Sequence, residues 1–273
     1  MKRKSLRKLL DELLQDPKFI SGIYNYCDRW CERCAFSNRC LVYAEEKADD
    51  SGDPAERDMD NQKFWDKLHL RFQETLEMIK ADAKERGIDL NDPKLEDSVA
   101  REQREERRRA AKNVPLARGA KAYMGATEKW FDQAKPLLEE KVGELKTQVN
   151  LEIGDPAAEA EKLSDFTDVI RWYQHFIYVK LSRAISSRAR EDMETDEELK
   201  AFSKDSDGSA KIALIAIDRS IAAWSGLREA LGADGESILD LQAQLAAIRR
   251  EAEKLFPQAR QFVRPGFDTP EPS

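Results

Sequence analysis

Two stretches of sequence decide the fold: FTDVIRWYQHFIYVKLSRAI (residues 166–185) and AKIALIAIDRSIAAWSGL (residues 210–227). Both carry apolar side chains at helical spacing on more than one face. A helix that is apolar nearly all round lies at the centre of a bundle, because each of its faces needs a partner. The sequence therefore predicts an all-α protein in which helices over 160–190 and 210–231 pack together.

Helical periodicity continues outside this central pair, whereas strand signals are scarce. A strongly amphipathic helix is predicted over 61–86 and ends at Gly87. Its apolar stripe consists of Trp65, Leu68, Phe72, Leu76 and Ile79. We expect a multi-helix bundle over 61–262, followed by a disordered tail at 263–273.

An acidic stretch separates the bundle from the N-terminal part of the chain. Residues 45–60 read EEKADDSGDPAERDMD, with eight carboxylates against only Lys47 and Arg57. So polar a stretch, containing Gly and Pro, cannot build a core. The sequence predicts an acidic linker at 48–60 and a separate N-terminal module at 1–47.

Composition excludes several classes of function. The 273 residues are 36% charged and carry a net charge of −7, which argues against broad electrostatic binding of nucleic acid. Mean hydropathy is −0.70, and no apolar run has the length of a membrane span. The N-terminal sequence MKRKSLRKLLDELL lacks the apolar core of a signal peptide, so we expect a cytoplasmic protein. The charged helix predicted at 94–113 is either a solvated surface or an arm that binds another protein.

The motif with the clearest chemistry is YCDRWCERCAFSNRC, residues 26–40. It contains all four cysteines, with the spacing Cys27-x3-Cys31-x2-Cys34-x5-Cys40. If 27–34 is α-helical, offsets of four and seven place three sulfurs on one face, and Cys40 folds back over it. Four converging thiolates suit a tetrahedral zinc ion or an iron–sulfur cluster. We therefore predict a four-cysteine metal-binding helical module.

Two alternatives to this metal centre, disulfides and unliganded thiols, are weaker. Disulfide frameworks are typical of small secreted domains. Zinc sites commonly use two C-x2-C pairs, but here only Cys31 and Cys34 form one. The choice of metal therefore favours a 4Fe–4S cluster slightly over zinc, and Trp30 could shield such a cluster from solvent.

Two short resemblances bear on the motif. Cys31-x2-Cys34-x5-Cys40 resembles the cysteine run that holds a 4Fe–4S cluster in some RecB-like nucleases, over ten residues only. No nuclease carboxylate–lysine motif accompanies it. Cys27-x3-Cys31-x2-Cys34 has the spacing of the radical-SAM motif. However, Arg33 stands where that family usually has an aromatic residue, and no β/α pattern follows.

A second candidate site lies in the central helices. Asp218 interrupts the apolar run IALIAIDRSIAAW, so we expect it to be buried and paired with Arg171, Arg183 or Arg219. His175 lies between Gln174 and Phe176, and we expect a hydrogen-bonded core histidine. The alternative for this buried polar centre is a ligand pocket.

The sequence contains no GxGxxG, P-loop or GxSxG motif that would point to a particular enzyme. The favoured interpretation is a metal-binding helical protein with a structural metal and a protein-interaction or regulatory role, and not an enzyme. The alternative is an iron–sulfur redox protein or enzyme with a ligand pocket near Asp218 and His175.

Overall fold

A computed structural model describes residues 12–92, 105, 113–193 and 205–268, without the side chains of 233 and 234. Within these ranges the regular structure is helical and no strand occurs, which confirms the predicted all-α class. Contacts divide the chain into a cysteine unit (1–103 with 264–273) and a bundle unit (104–263). The charged segment predicted at 94–113 lies outside the described residues except for 105 and 113.

The cysteine unit is made of short elements and one long helix. Its 3₁₀ turns span Ile23–Asn25, Cys31–Arg33, Ser37–Arg39 and Pro54–Glu56, and its α-helices are α1 (Leu41–Asp49) and α2 (Gln62–Glu85). The side chain of Asn61 accepts a hydrogen bond from the Lys63 amide at 3.1 Å, which caps the start of α2. Gly87 follows the helix at φ 67°, a left-handed conformation that suits glycine.

The described residues of the bundle unit form four long helices: α3 (Pro115–Leu151), α4 (Pro156–Glu191), α5 (Asp205–Leu231) and α6 (Ile238–Leu255). Helices α4 and α5 form the most extensive contact, as predicted. Helix α3 packs on α4 and α6, and α5 also packs on α6, so each helix contacts two others in a four-helix ring. Helix α3 is continuous through Pro136.

Aromatic and aliphatic side chains fill the centre of this ring. Tyr173, Ile177 and Trp224 are fully buried, whereas Ile215 and Ile221 are half-buried. Gly226 explains the close approach of α4 and α5, because a Cβ there would lie 2.3 Å from the ring of Phe166. The bundle unit therefore has a tightly packed apolar core of its own.

The predicted boundaries around the acidic linker differ from the structure. Helix α2 was expected to be part of the bundle, but its contacts group it with the cysteine unit. The acidic linker is partly structured, since Asp49 lies 2.8 Å from Arg71, and Glu56 lies 2.8 Å from Lys67. These ion pairs to α2 give the carboxylates fixed partners that a sequence pattern alone does not show.

The C-terminal tail was expected to be disordered, but its first part is folded. Residues 265–268 form a turn, and the side chain of Arg264 pairs with Asp268 at 2.9 Å. Pro265 lies against Gly22, where a Cβ would be 3.8 Å from its side chain. The segment 264–268 thus belongs to the cysteine unit, while 269–273 lie outside the described residues.

Candidate metal centre

The cysteine motif is built from 3₁₀ turns and is not the predicted α-helix. The Asp28 side chain accepts a hydrogen bond from the Trp30 amide at 3.2 Å, an arrangement that favours a turn. Arg29 then adopts φ 60°, which few residues other than glycine adopt and which an α-helix cannot contain. The offsets of four and seven residues from Cys27 to Cys31 and Cys34 therefore do not place the three sulfurs on one face of an α-helix.

The last three cysteines lie on two short turns and not on one continuous helix. Cys31, Cys34, Ser37 and Cys40 form a series with a spacing of three, and backbone hydrogen bonds from Cys34 to Cys31 at 3.2 Å and from Cys40 to Ser37 at 3.3 Å close the two turns. Cys34 and Cys40 have extended backbone conformations and end these turns. Three-residue stacking of a 3₁₀ helix therefore does not continue from Cys31 to Cys40.

Cys27 joins the series from the preceding turn. Its thiol donates a hydrogen bond to the carbonyl oxygen of Tyr24 at 3.5 Å. All four cysteines, and Ser37 as well, line one small enclosed cavity of about 20 Å³. The other side chains around this cavity are Ile23, Tyr24, Asp28, Arg29, Trp30, Tyr43 and Phe267. The structure thus brings together the four residues that the sequence selected.

The environment of the cavity favours the neutral form of the Cys31 thiol. Burial, together with negative charge on Glu46, Cys27 and Cys40, raises the pKa of this thiol to about 11. The Arg33 guanidinium lies 3.9 Å from the Trp30 ring centre, which shields one side of the motif. A cation that binds here would replace the thiol protons.

The C-terminal segment also lines this cavity, and the sequence pattern did not predict this. The ring of Phe267 meets Phe36 edge-on, with 5.2 Å between ring centres. Gly266 has φ 76°, and a Cβ at this position would lie 2.8 Å from a methyl group of Ile23. Only glycine fits both this backbone conformation and this contact. The RPGFD sequence at 264–268 is a turn signal that could have indicated an ordered segment.

The cysteines are close together, but they do not yet form a finished coordination shell. Among the described residues, no disulfide joins them, and no group of three or more His, Cys, Asp or Glu side chains is arranged to hold a metal ion as it stands. A metal would therefore require these residues to rearrange around it.

The second candidate, Asp218, is an ion pair with different partners from those predicted. Its carboxylate lies 2.6 Å from Arg260 and 3.3 Å from Arg249. The Asp218 side chain remains 38% exposed, because it lies at the edge of α5 beside the C-terminal turn that carries Arg260. The prediction of a buried carboxylate was therefore wrong.

The other residues predicted for this polar centre lie elsewhere. Arg171 stacks over Phe131 at 4.1 Å, and Arg183 pairs with Asp205 at 2.6 Å. His175 is exposed and lies 3.5 Å from Glu128, so the expected core histidine is on the surface. A polar residue between apolar residues of a helix can face solvent, and the sequence pattern did not show that His175 does so.

The buried polar contact of the bundle involves two aromatic residues that were not predicted as partners. The indole of Trp224 donates a hydrogen bond to the hydroxyl of Tyr123 at 2.9 Å. Burial raises the pKa of Tyr123 above its usual value. Both rings are fully buried, so each satisfies the polar atom of the other in the core.

Two larger grooves lie on the bundle unit, and neither is lined by Asp218 or His175. A largely apolar groove of about 470 Å³ runs along Leu138, Val142 and Leu163. A groove of about 570 Å³ lies beside it, at Phe166 and Gly226. The second groove is also lined by charged residues: Lys141, Glu159, Lys162 and Glu229.

Comparison of the chain with protein-family models, curated proteins and solved structures finds no match. Among the described helices, none has the length and apolar character needed to cross a membrane. Any functional conclusion therefore depends on the residues themselves.

Proposed function

We propose that the protein binds one metal ion through Cys27, Cys31, Cys34 and Cys40, and that this ion stabilises the cysteine unit. The observation that carries the proposal is the single cavity lined by every cysteine of the chain. Sulfur ligands on three short turns resemble the way in which loops are held together in small metal-stabilised domains.

The small apolar core of the cysteine unit supports a structural role for the metal ion. Among the described residues of this unit, only Ile23 and Ala83 are buried apolar residues. Small units without a sizeable apolar core usually need disulfides, a metal or a partner to be stable. Four thiol ligands would supply cross-links between segments that are otherwise connected by little apolar contact.

The size of the cavity suits a single ion. About 20 Å³ is open to the centre of a water-sized sphere, so the cavity has room for at least one ion. Zinc needs sulfur atoms at about 2.3 Å around one point, whereas a 4Fe–4S cluster inserts eight atoms among its ligands. We therefore propose zinc, which reverses the slight preference of the sequence for a cluster.

The ion would organise a surface and would not carry out a reaction. Four thiolates saturate a tetrahedral zinc ion, so no position remains for substrate. The role in protein interaction or regulation that we propose is then exerted by the surfaces that the ordered unit presents. Reduced thiols suit a reducing compartment such as the cytoplasm.

Metal analysis of the full-length protein tests this proposal. We expect about one zinc per chain, and after exchange with Co²⁺ we expect the intense visible absorbance of a tetrahedral thiolate complex. Each single Cys→Ser variant should bind much less zinc. The matched control is Ser37→Ala, which changes a side chain of the same cavity but leaves all four thiols in place.

Three results would contradict the proposal. The first is full zinc occupancy in every Cys→Ser variant, and the second is the same loss of zinc in Ser37→Ala. The third is a brown protein with stoichiometric iron and sulfide, which would replace zinc by a cluster and revive the redox alternative.

A further inference from the structure

Helix α2 presents its polar side to its own unit. Lys67 pairs with Glu56 at 2.8 Å, and Arg71 pairs with Asp49 at 2.8 Å. These four side chains are among the less exposed groups of this region, at 16–25%. Most amphipathic helices bury the apolar side against their own chain. In α2 the charged side is covered instead.

The opposite side of α2 is an exposed apolar stripe. Its exposed fractions are Trp65 51%, Leu68 37%, Phe72 60%, Leu76 53% and Ile79 50%. The stripe extends over the 15 residues from 65 to 79, a rise of about 21 Å along the helix. Five large apolar side chains on one face form a patch of the size that marks an interaction surface.

The spacing of the stripe is symmetric. Leu68 and Leu76 lie four residues before and after Phe72, and Trp65 and Ile79 lie seven residues before and after it. Two antiparallel copies of α2 that cross at Phe72 therefore place Leu68 opposite Leu76, and Trp65 opposite Ile79. We propose that α2 is a homodimerisation helix that pairs antiparallel with α2 of a second copy about this two-fold axis.

The charges beside the stripe favour the antiparallel direction. Those next to it are Lys80, Asp82 and Arg86, all at the C-terminal end of the helix. Parallel pairing of two α2 helices would place each of these charged side chains beside the same side chain of the second copy, where like charges repel. Antiparallel pairing about Phe72 separates the two Lys80 side chains by 16 residues, about 24 Å, which is well beyond the Debye length of about 8 Å.

The flanks near the two-fold axis are uncharged or complementary in hydrogen bonding. His69 and Gln73 lie on one flank, 2.9 Å apart, and antiparallel pairing brings His69 near Gln73 of the second copy. Gln62 comes near Lys80 of the second copy in the same way. The helix carries five basic and five acidic residues. It therefore lacks the basic polar side with which an amphipathic helix binds an anionic membrane.

The area of the stripe suits a dimer of moderate affinity. A half-exposed aromatic or long aliphatic side chain offers roughly 100 Å². The ten side chains of two copies would remove on the order of 1,000 Å² from water, near the lower limit for specific interfaces. We therefore expect association that depends on concentration in the micromolar range.

Light scattering and sedimentation of the metal-loaded, full-length protein over a concentration series test this proposal. We expect the mass of one chain at low concentration and of two at high concentration. Phe72→Lys puts two like charges at the axis and should weaken association at least about 100-fold. Leu70→Lys is the control, since it adds the same charge to an exposed residue outside the stripe and should leave association unchanged.

A charge pair tests the direction of the helices. Leu68→Glu alone should weaken association, whereas the double variant Leu68→Glu/Leu76→Lys should restore it, because each new carboxylate faces a new ammonium of the second copy. Parallel pairing predicts no rescue, since like charges would then meet. Because these side chains are exposed, circular dichroism should show unchanged helix content in each variant. A wild-type chain that stays monomeric, or a dimer unaffected by Phe72→Lys, overturns the proposal.

Discussion

The two units of the molecule reach their folds by different means. The bundle unit encloses Trp224, Tyr123 and Tyr173 between four long helices. The cysteine unit buries Ile23 and Ala83 among its described residues and otherwise depends on turns, ion pairs and thiols. Burial of apolar area therefore accounts for the stability of the bundle unit, whereas the cysteine unit needs a second source of stability.

The two units also differ in which of them carries the candidate functional groups. In the bundle unit, ion pairs such as Arg183 with Asp205 and Arg260 with Asp218 are partly exposed, and the large buried side chains of the core are aromatic and aliphatic. The cysteine unit gathers the four thiols and exposes the apolar stripe of α2. Features that cost stability and that local packing does not explain are those for which a functional role is expected.

The largest expected effect is that of metal removal on the cysteine unit. Stripping the proposed ion with a chelator should abolish the ordered structure of residues 16–50, because these turns have too little apolar core to persist. Hydrogen exchange should show loss of protection there, while α3 to α6 keep theirs. Protection of 16–50 that does not change with chelation would mean that the unit is stable without metal.

The second effect concerns the core of the bundle. Trp224→Ala removes a fully buried indole and leaves the Tyr123 hydroxyl without its donor, so it should cost about 3–5 kcal/mol of unfolding free energy. Denaturant titration of the bundle signal measures it, and zinc content should stay unchanged. Trp172→Ala, on the exposed side of α4, is the control and should cost about 1 kcal/mol or less. Equal costs for the two variants would contradict the assigned core.

The third effect compares two glycines in helices of the bundle. Gly226→Ala would push a methyl group into the ring of Phe166 and should destabilise by about 1–3 kcal/mol. Gly143→Ala meets nothing within 4 Å and should stabilise α3 by about 0.5–1 kcal/mol through its higher helix propensity. Thermal unfolding of the two variants should therefore shift in opposite directions. A shift in the same direction would show that α4 and α5 are farther apart than described.

The sequence predicted the fold well where the apolar pattern was dense. The pairing of α4 with α5 and the burial of Trp224 follow from helices that are apolar on several faces. The start and end of α2 were also predictable, from Asn61 and Gly87. Periodicity did not show which unit α2 joins, because an apolar stripe has the same appearance whether its partner is the same chain or another molecule.

The sequence selected four cysteines that line one cavity, but it did not predict their backbone conformation. The clustering of Cys27, Cys31, Cys34 and Cys40 selected the right residues for one cavity. The helical interpretation failed because local backbone preferences at Asp28 and Arg29 outweigh it. The closure by Phe267 comes from more than 200 residues away in sequence and could not be inferred from a local pattern.

The smallest expected effect is that of replacing Asp218. This replacement tests whether the ion pairs of Asp218 are exposed surface pairs. Asp218 bonds Arg260 at 2.6 Å and Arg249 at 3.3 Å, but all three side chains are 38–41% exposed. Exposed ion pairs contribute about 0–1 kcal/mol, so Asp218→Ala should cost about 1 kcal/mol or less, and added salt should reduce even that.

Asp205 gives the matched comparison for Asp218. Its carboxylate is less exposed, at 23%, and accepts hydrogen bonds from Ser187 at 2.6 Å and from Arg183 at 2.6 Å. It also lies in the first turn of α5, where a negative charge is favourable. Asp205→Ala should therefore cost more, about 1–2 kcal/mol, and depend less on salt. Denaturant titrations at low and high salt measure both variants. If Asp218→Ala costs 3 kcal/mol or more, as burial of the pair would require, then Asp218 is shielded from water and the ligand pocket predicted beside it regains support.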